Sequence, residues 1–396
     1  MSWQVCSIGK HVEKIISWNP AQSLDSDTFR YIDLSSVDKD QKIIRLENVP
    51  LISPSDAPSR ARQLVKANDV LVSTVRPNLN GVAVVPSELD DSTASTGYCV
   101  LRPDQKTLDS AYLYHWVKTN TFIEEMMKMA SGANYPAVSD KIIKESKIPL
   151  PPLAEQKRIA AILDKADSLR RKNQQAIQLA DQFLRAVFLE LFGDPVTNPK
   201  GWDECILKDI AEIRSGVTKG KKIDLSQAVT LPYMRVANVQ DGYLDLSDIQ
   251  QITVSQQDAK KCQLESGDIL LTEGGDPDKL GRGHVWNNEI ESCIHQNHIF
   301  SVRIIEKDKV RPEFLNSVIA SQRGKRYFLK VGKQTTGIAT INKTVLSEFE
   351  PFIPPIGLQD KYIALAYKVN LIKNKYPELN LNLFESLSQK AFAGKL

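Results

Sequence analysis

The 396-residue chain repeats itself at close to half its length, and that repeat limits its possible folds more than any single motif does. Asp69-Val-Leu-Val-Ser-Thr returns 199 positions later as Asp268-Ile-Leu-Leu-Thr-Glu. Tyr31-Ile-Asp-Leu-Ser-Ser-Val returns after 202 as Tyr233-Met-Arg-Val-Ala-Asn-Val. Ile148-Pro-Leu-Pro-Pro-Leu-Ala-Glu-Gln returns as Phe352-Ile-Pro-Pro-Ile-Gly-Leu-Gln, the Pro-Pro pairs 203 apart. Three weak matches in one order at nearly one offset imply tandem duplication. The length prior of two or three domains agrees.

Each repeat opens with short β-type runs such as Val70-Leu-Val-Ser-Thr-Val, Gly81-Val-Ala-Val-Val and Ile269-Leu-Leu-Thr, bounded by turn residues. A helix-like piece follows, Leu108 to Met129 in one and Pro312 to Val331 in the other. This predicts α/β (α+β-type) units. A Pro-Pro pair then introduces a helix, proline costing nothing at the first helical position. The first such helix is predicted from Glu155 to Phe192, with Gly193 as cap and Pro195 as stop, about 57 Å long. A helix of that length needs a partner. Ile159, Ala166, Asn173, Ala180 and Val187 form one column of a heptad seam, and Ile162, Leu169, Ala176 and Phe183 the other. Leu163, Ile177, Leu184 and Leu191 widen it, and Asn173 is placed to fix register. The natural partner runs from Gln359, with Ile363, Leu365, Val369 and Ile372 on its apolar face, is broken at Pro377, and resumes from Leu381 to Phe392. The plainer alternative is a lone amphipathic helix on a domain surface. The expected organisation is a globular unit over 1–150, a spacer helix over 151–193, a second unit over 194–352 and a pairing helical region over 353–396. The two units, related by a rough two-fold, would be separated by a long antiparallel coiled-coil spacer.

Several segments resemble one family. IPLPPLAEQKRIAAILDKADSLR (148–170) resembles the central conserved region of type I restriction–modification specificity subunits, LFGDPVTNPKGW (191–202) the lead-in to their second target recognition domain, LTEGGDPDKLGRG (271–283) a loop of those domains, and LFESLSQKAFAGKL (383–396) their C-terminal helix. The resemblance spans the whole chain. It implies a non-catalytic subunit whose target recognition domains each read half of a split, asymmetric site in double-stranded DNA. It implies a helical spacer that sets half-site separation and docks two methyltransferase subunits. S-adenosylmethionine would sit on those partners, ATP and magnesium on a further motor–nuclease partner, and no cofactor on this chain. The second Pro-Pro repeat reads Gly-Leu-Gln-Asp where the first has Ala-Glu-Gln-Lys, so less symmetric docking is expected.

Other features bear on function class. There is no Asn/Asp-Pro-Pro-Tyr methylation motif, no glycine-rich cofactor loop after a strand and no phosphate-binding G-x-x-x-x-G-K-[ST], which argues against a stand-alone methyltransferase or motor. A protein-binding coiled-coil adaptor explains the long helix but not the duplicated units. Cys293-x-His295-x-x-His298 near His284 fits no standard zinc spacing, so ordinary structural roles are expected. Five scattered cysteines and no apolar run of ~20 residues suit a reduced cytoplasm. A net charge of +3 neither identifies nor excludes a DNA binder.

The candidate DNA contacts follow from residue chemistry. Arg pairs with guanine and Asn with adenine, which selects Arg76, Asn78 and Asn80 in the first unit. Lys279, Arg282 and His284 occupy the corresponding glycine-rich loop of the second. Tyr135 lies in the turn after the first late helix, and Arg235 in the repeated Tyr-Met-Arg stretch. Arg323, Lys325, Arg326, Lys330 and Lys333 crowd the second late helix, where they either line phosphates or form a solvated face. Arg170-Arg171-Lys172 face DNA between the half-sites, an acidic partner surface, or solvent. The spacer and partner interface is expected at Ile159, Ile162, Leu169, Asn173 and Phe183.

Overall fold

The structure, a computed structural model, describes residues 3–22, 27–132, 134–220, 224, 226, 228–275, 280–335, 338–374 and 377–396. Its helices are α1 (Ser110–Val117), α2 (Asn120–Met129), α3 (Asp140–Glu145), α4 (Leu153–Phe192), α5 (Leu207–Ile210), α6 (Gln256–Cys262), α7 (Pro312–Ala320), α8 (Gln322–Val331), α9 (Lys343–Ser347), α10 (Ile356–Asn374) and α11 (Pro377–Phe392). The chain divides into two compact units, one formed by 1–177 with 375–396 and the other by 178–374.

The duplication holds at the level of topology. In the first unit, strands Val12–Glu13, Tyr98–Pro103, Val70–Ser73 and Val82–Val84 pair in that order, all antiparallel. In the second, Ala211–Ser215, Ile299–Ile304, Ile269–Thr272 and Gly283–Val285 do the same. A further sheet in each unit contains one parallel pair, Phe29–Ile32 with Thr93–Ser95 and Ala228–Met234 with Ile294–His295. The uninterrupted apolar run of the central strand follows from covering on both faces. Val70 and Val72 join the cluster containing α1, α2 and α3 side chains, while Leu71 between them joins Ile32 and Ala94 of the neighbouring sheet. Ile269, Leu271 and Leu270 divide likewise. Alternate residues of a strand point to opposite faces, so a strand between two layers is apolar throughout.

Buried polar contacts repeat too. Asp69 is 1% exposed and receives the Arg102 guanidinium at 2.9 and 2.7 Å. Asp268, fully buried, receives Arg303 at 2.7 and 2.8 Å, and Arg214 at 3.0 Å. Burial pushes the Asp268 carboxyl up, but hydrogen bonds from Arg303 and the Glu265 amide, with the Arg303 and Arg214 charges, hold it below the usual carboxylate range. At the start of α4, buried Gln156 donates to the Pro151 and Thr107 carbonyls and accepts from the Asp109 amide. Gln359 of α10 donates to Pro354 and Lys309 and accepts from Arg311.

Two expectations need correction. Each late helix is a pair: Thr119 and Ser321 end the first member and accept from the Phe122 and Arg323 amides to begin the second. The seam of α4 is also turned from its expected register. Ile159, Ala160, Leu163 and Asp167 are buried, Ile162 and Asn173 half-buried, and Ile177, Leu184, Val187 and Leu191 partly buried. Leu169 and Phe183, by contrast, are 51% and 50% exposed, and Ala176 is exposed. The physical reason is that α4 is covered by its domain as well as by a helix. In the first unit α1 lies against it through His115–Asp164 at 2.7 Å and Lys118–Asp167 at 3.1 Å.

Each unit is completed by a helix distant in sequence. In the first, Phe392 of α11 meets Tyr112 and Trp116 of α1 at 5.2 and 5.0 Å between ring centroids. In the second, Phe192 of α4 meets Phe314 of α7 and Tyr362 of α10 at 4.9 and 5.7 Å. Within each unit the helix pair is antiparallel: Arg158 reaches the Leu396 carbonyl in one, while in the other Asp181 pairs with Lys373.

Candidate nucleic-acid interface

In the first unit, residues 74–80 lie against residues 134–138. Val138 donates to the Thr74 carbonyl at 2.9 Å and Arg76 to that of Pro136 at 2.7 Å. The 3-10 turn Pro77–Leu79 is framed by Arg76 and Asn80, both with left-handed backbone at φ 51° and 44°. Such φ values strain a non-glycine residue, and this strain flanks the turn that exposes Asn78 and Leu79. The Arg76 guanidinium stacks over the Tyr135 ring at 4.5 Å, and Tyr135 is 67% exposed. The fold thus brings Arg76 and Tyr135 together, with Asn78 exposed in the same turn as Arg76. Asn80 does not join them: it is buried and its amide donates to the Lys118 carbonyl at 3.4 Å, so its role is conformational.

In the second unit, Arg282 and His284 lie at the corresponding edge. Arg282 is half-buried and donates to Gln240 Oε1 at 3.4 Å. Burial pushes the His284 imidazole below its ordinary pKa, which makes it a neutral hydrogen-bonding group and not a phosphate cation. The neighbouring glycines serve packing: a Cβ on Gly283 would stand 2.1 Å from the Leu270 carbonyl oxygen. Lys279 and the side chain of Lys333 lie outside the described residues.

Two of the expected cations are committed elsewhere. Arg235 donates to the Asp248 carbonyl and carboxylate at 2.8 and 2.7 Å. Arg323 bonds the Glu350 and Pro195 carbonyls at 2.6 and 3.2 Å and pairs with Glu204. Both bind their own domain, so neither is free for phosphate. Lys325 is half-buried, while Arg326 and Lys330 are exposed on α8.

The sequence reading missed three features. Glu273 accepts from His298 at 2.6 Å, both partly exposed, where the first unit has Thr74 and Gly97. Both units keep the same 2.9 Å backbone bond at that point, Thr74 to Gly97 and Glu273 to His298. Next, Lys42 donates to the Leu79 and Asn80 carbonyls. Finally, Arg170 and Arg171 do not stand free: they clamp Asp167 at 2.9 and 2.6 Å. Burial opposes ionisation of Asp167, yet Lys118 and the two arginines hold its carboxyl well below the usual range. The i, i+3 spacings His115/Lys118 and Asp164/Asp167 carried the signal for this ladder. Of the zinc-like set, His295 bonds the Cys262 carbonyl at 3.0 Å and His298 bonds Glu273.

A family model for the type I restriction modification DNA specificity domain matches residues 48–179 and again 199–366. This chain belongs to that family. Its two domain copies fall in the two structural units. The EcoKI specificity subunit of Escherichia coli strain K12 is 25% identical over 325 residues, 75% of this chain and 68% of that protein. The StySPI specificity subunit of Salmonella potsdam is 25% identical over 319 residues, 75% of this chain and 67% of that protein. Among solved structures, the type I restriction-modification S subunit from M. genitalium shares the fold, with a TM-score of 0.58 at 15% identity over 98% of this chain and 96% of that one. A chain from a study of assembly and conformational transition of the type I system matches with a TM-score of 0.57 at 22% identity, covering 100% of this chain and 98% of that one. Among the described residues no helix is long and apolar enough to cross a membrane.

Proposed function

We propose that this chain is the non-catalytic DNA-specificity subunit of a type I restriction–modification complex. Each unit reads one half of a bipartite, asymmetric site. Arg76, Asn78 and Tyr135 supply contacts in the first unit, and Arg282 and His284 in the second, with Arg326 and Lys330 positioned for phosphates. Two methyltransferase subunits dock on the helices, where Leu169, Leu179, Phe183, Leu189, Tyr367, Leu371 and Ile372 leave apolar side chains exposed. S-adenosylmethionine binds to those subunits, ATP and magnesium to the motor–nuclease partner.

The observation that carries this reading is the duplicated specificity domain, with a polar loop at the corresponding edge of each copy. Duplicated readers suit two half-sites. Mapping methylated adenines in cells carrying this chain with its methyltransferase, against cells lacking it, tests the reading. A new split motif with a fixed gap is expected. No change in methylation, with partner assembly intact and no salt-dependent DNA binding, would replace it with a protein-binding adaptor.

A further inference from the structure

The DNA-reading loops are held by one device used twice. A short 3-10 helix follows the strand of the parallel pair in each unit, Leu34–Ser36 after Phe29–Ile32 and Val236–Asn238 after Ala228–Met234, 202 residues apart. Each begins with the same cap: the Asp33 amide donates to Ser36 Oγ at 3.1 Å, and the Arg235 amide to Asn238 Oδ1 at 2.9 Å. Each cap side chain then ties down the next segment, Ser36 to the Asn48 carbonyl at 2.9 Å and Asn238 to the Asp245 carbonyl at 2.9 Å. The turn that follows reaches the reading loop by a different contact in each unit.

In the first unit the turn is the hairpin Val37–Asp38 with Ile43–Ile44. Lys42 stands at its end with φ 56°, a third left-handed non-glycine residue beside Arg76 and Asn80. Its ammonium donates to the Asn80 carbonyl and, at 3.4 Å, to that of Leu79, the last two residues of the turn displaying Asn78. Its own carbonyl accepts from Tyr114 Oη at 2.9 Å, fixing the donor to α1. In the second unit the turn spans 240–243. Gln240 donates to the Ala237 carbonyl at 2.7 Å, which orients its amide so that Oε1 faces Arg282. The Gly242 amide donates to the Gly283 carbonyl at 3.2 Å, holding the backbone next to Arg282.

We propose that Lys42 and Gln240 are positioning residues for half-site recognition, each aiming the reading loop of its own unit. The inference rests on the DNA-reading assignment above. A loop carrying strained φ values relaxes when its anchor is removed, and base readout by hydrogen bonds depends on the direction of the donor. Neither residue is needed by the core: Lys42 is half-buried at the surface and Gln240 sits in an exposed turn. Burial brings the Lys42 ammonium down to about 8, with Lys118 and Arg170 also opposing its charge and Asp40 and Asp38 favouring it. Its hold on the loop therefore weakens as pH rises through about 8.

The test uses the full chain assembled with its methyltransferase subunits and measures methylation on DNAs carrying single-base changes in either half-site. K42M is expected to cut discrimination about tenfold in the first half-site and leave the second unchanged. Q240L is expected to do the reverse. K42R keeps the donor and the charge, so it is expected to restore discrimination and to remove the decline above pH 8 expected of wild type. Q240E keeps an acceptor for Arg282 but loses the donor to the Ala237 carbonyl, so it restores the second half-site only in part. Unaltered discrimination in both K42M and Q240L, with wild type selective, overturns the clamp alone. Equal loss in both half-sites for each variant, or a first half-site loss that K42R fails to restore, overturns it as a general packing defect. A wild-type complex with no sequence preference overturns the DNA-reading assignment itself, and the clamp with it.

Discussion

Burial holds the His295 imidazole down to about 4, its Nδ1 hydrogen-bonded to the Cys262 carbonyl and its Nε2 without a partner among the described residues. The unfolded chain takes up this proton near 6.5. Between pH 6.5 and 4 the unfolded state thus binds a proton that the folded state refuses, and stability falls as pH falls. Thermal unfolding followed over that window should show the second unit losing on the order of 3 kcal/mol, and H295L should flatten the slope. Asp69 makes a different prediction. Its removal takes the carboxylate from the half-buried Arg102 guanidinium and the acceptor from the Lys66 amide, so D69A should cost the first unit about 2–3 kcal/mol in denaturant unfolding. The Asp69 and Asp268 matches were visible as sequence repeats, but their arginine partners were not, because Arg102 and Arg303 lie in strands with no identical neighbours. Residue type likewise failed to separate Asn78 from Asn80, or Arg326 from Arg323. Backbone direction and the nearest carboxylate decide those, and neither is written in composition.

The long helix was legible in nearly its full extent, since a proline start, an unbroken periodic run and a glycine stop are local signals. Its register was not. Apolar residues occupy three columns of α4, and heptad counting accepts any adjacent two. The choice is made by what covers the helix, a domain on one side and a helix on another. Two substitutions separate the registers. L163D should destabilise the first unit by more than about 3 kcal/mol, because a carboxylate would enter a fully buried site. L169D should move its melting by no more than about 0.5 kcal/mol, since the side chain is half-exposed, while weakening assembly with the methyltransferase subunits. Equal destabilisation by both would restore the expected seam. The breaks at Thr119 and Ser321 were readable in principle, as capping residues followed by a new helical run.

The duplication fixed the plan of the molecule before any contact was known, because each copy had to solve the same packing problem with the same strand order. What it left open was the difference between copies, and sequence specificity resides in that difference. R282A should weaken recognition of the second half-site alone by about 1–3 kcal/mol, read as methylation of DNAs altered in one half-site or the other. Loss spread over both would remove Arg282 from the reading set. The completion of each unit by a remote helix also sets an order of events on the ribosome. Residues 178–374 carry everything the second unit needs, whereas the first waits for Phe392 to cover Tyr112 and Trp116. At roughly 5–20 residues per second that wait lasts about ten to forty seconds. The unit made first is thus the unit finished last, and until the segment carrying Phe392 has been translated it presents an open aromatic cleft to the chaperones of the cell.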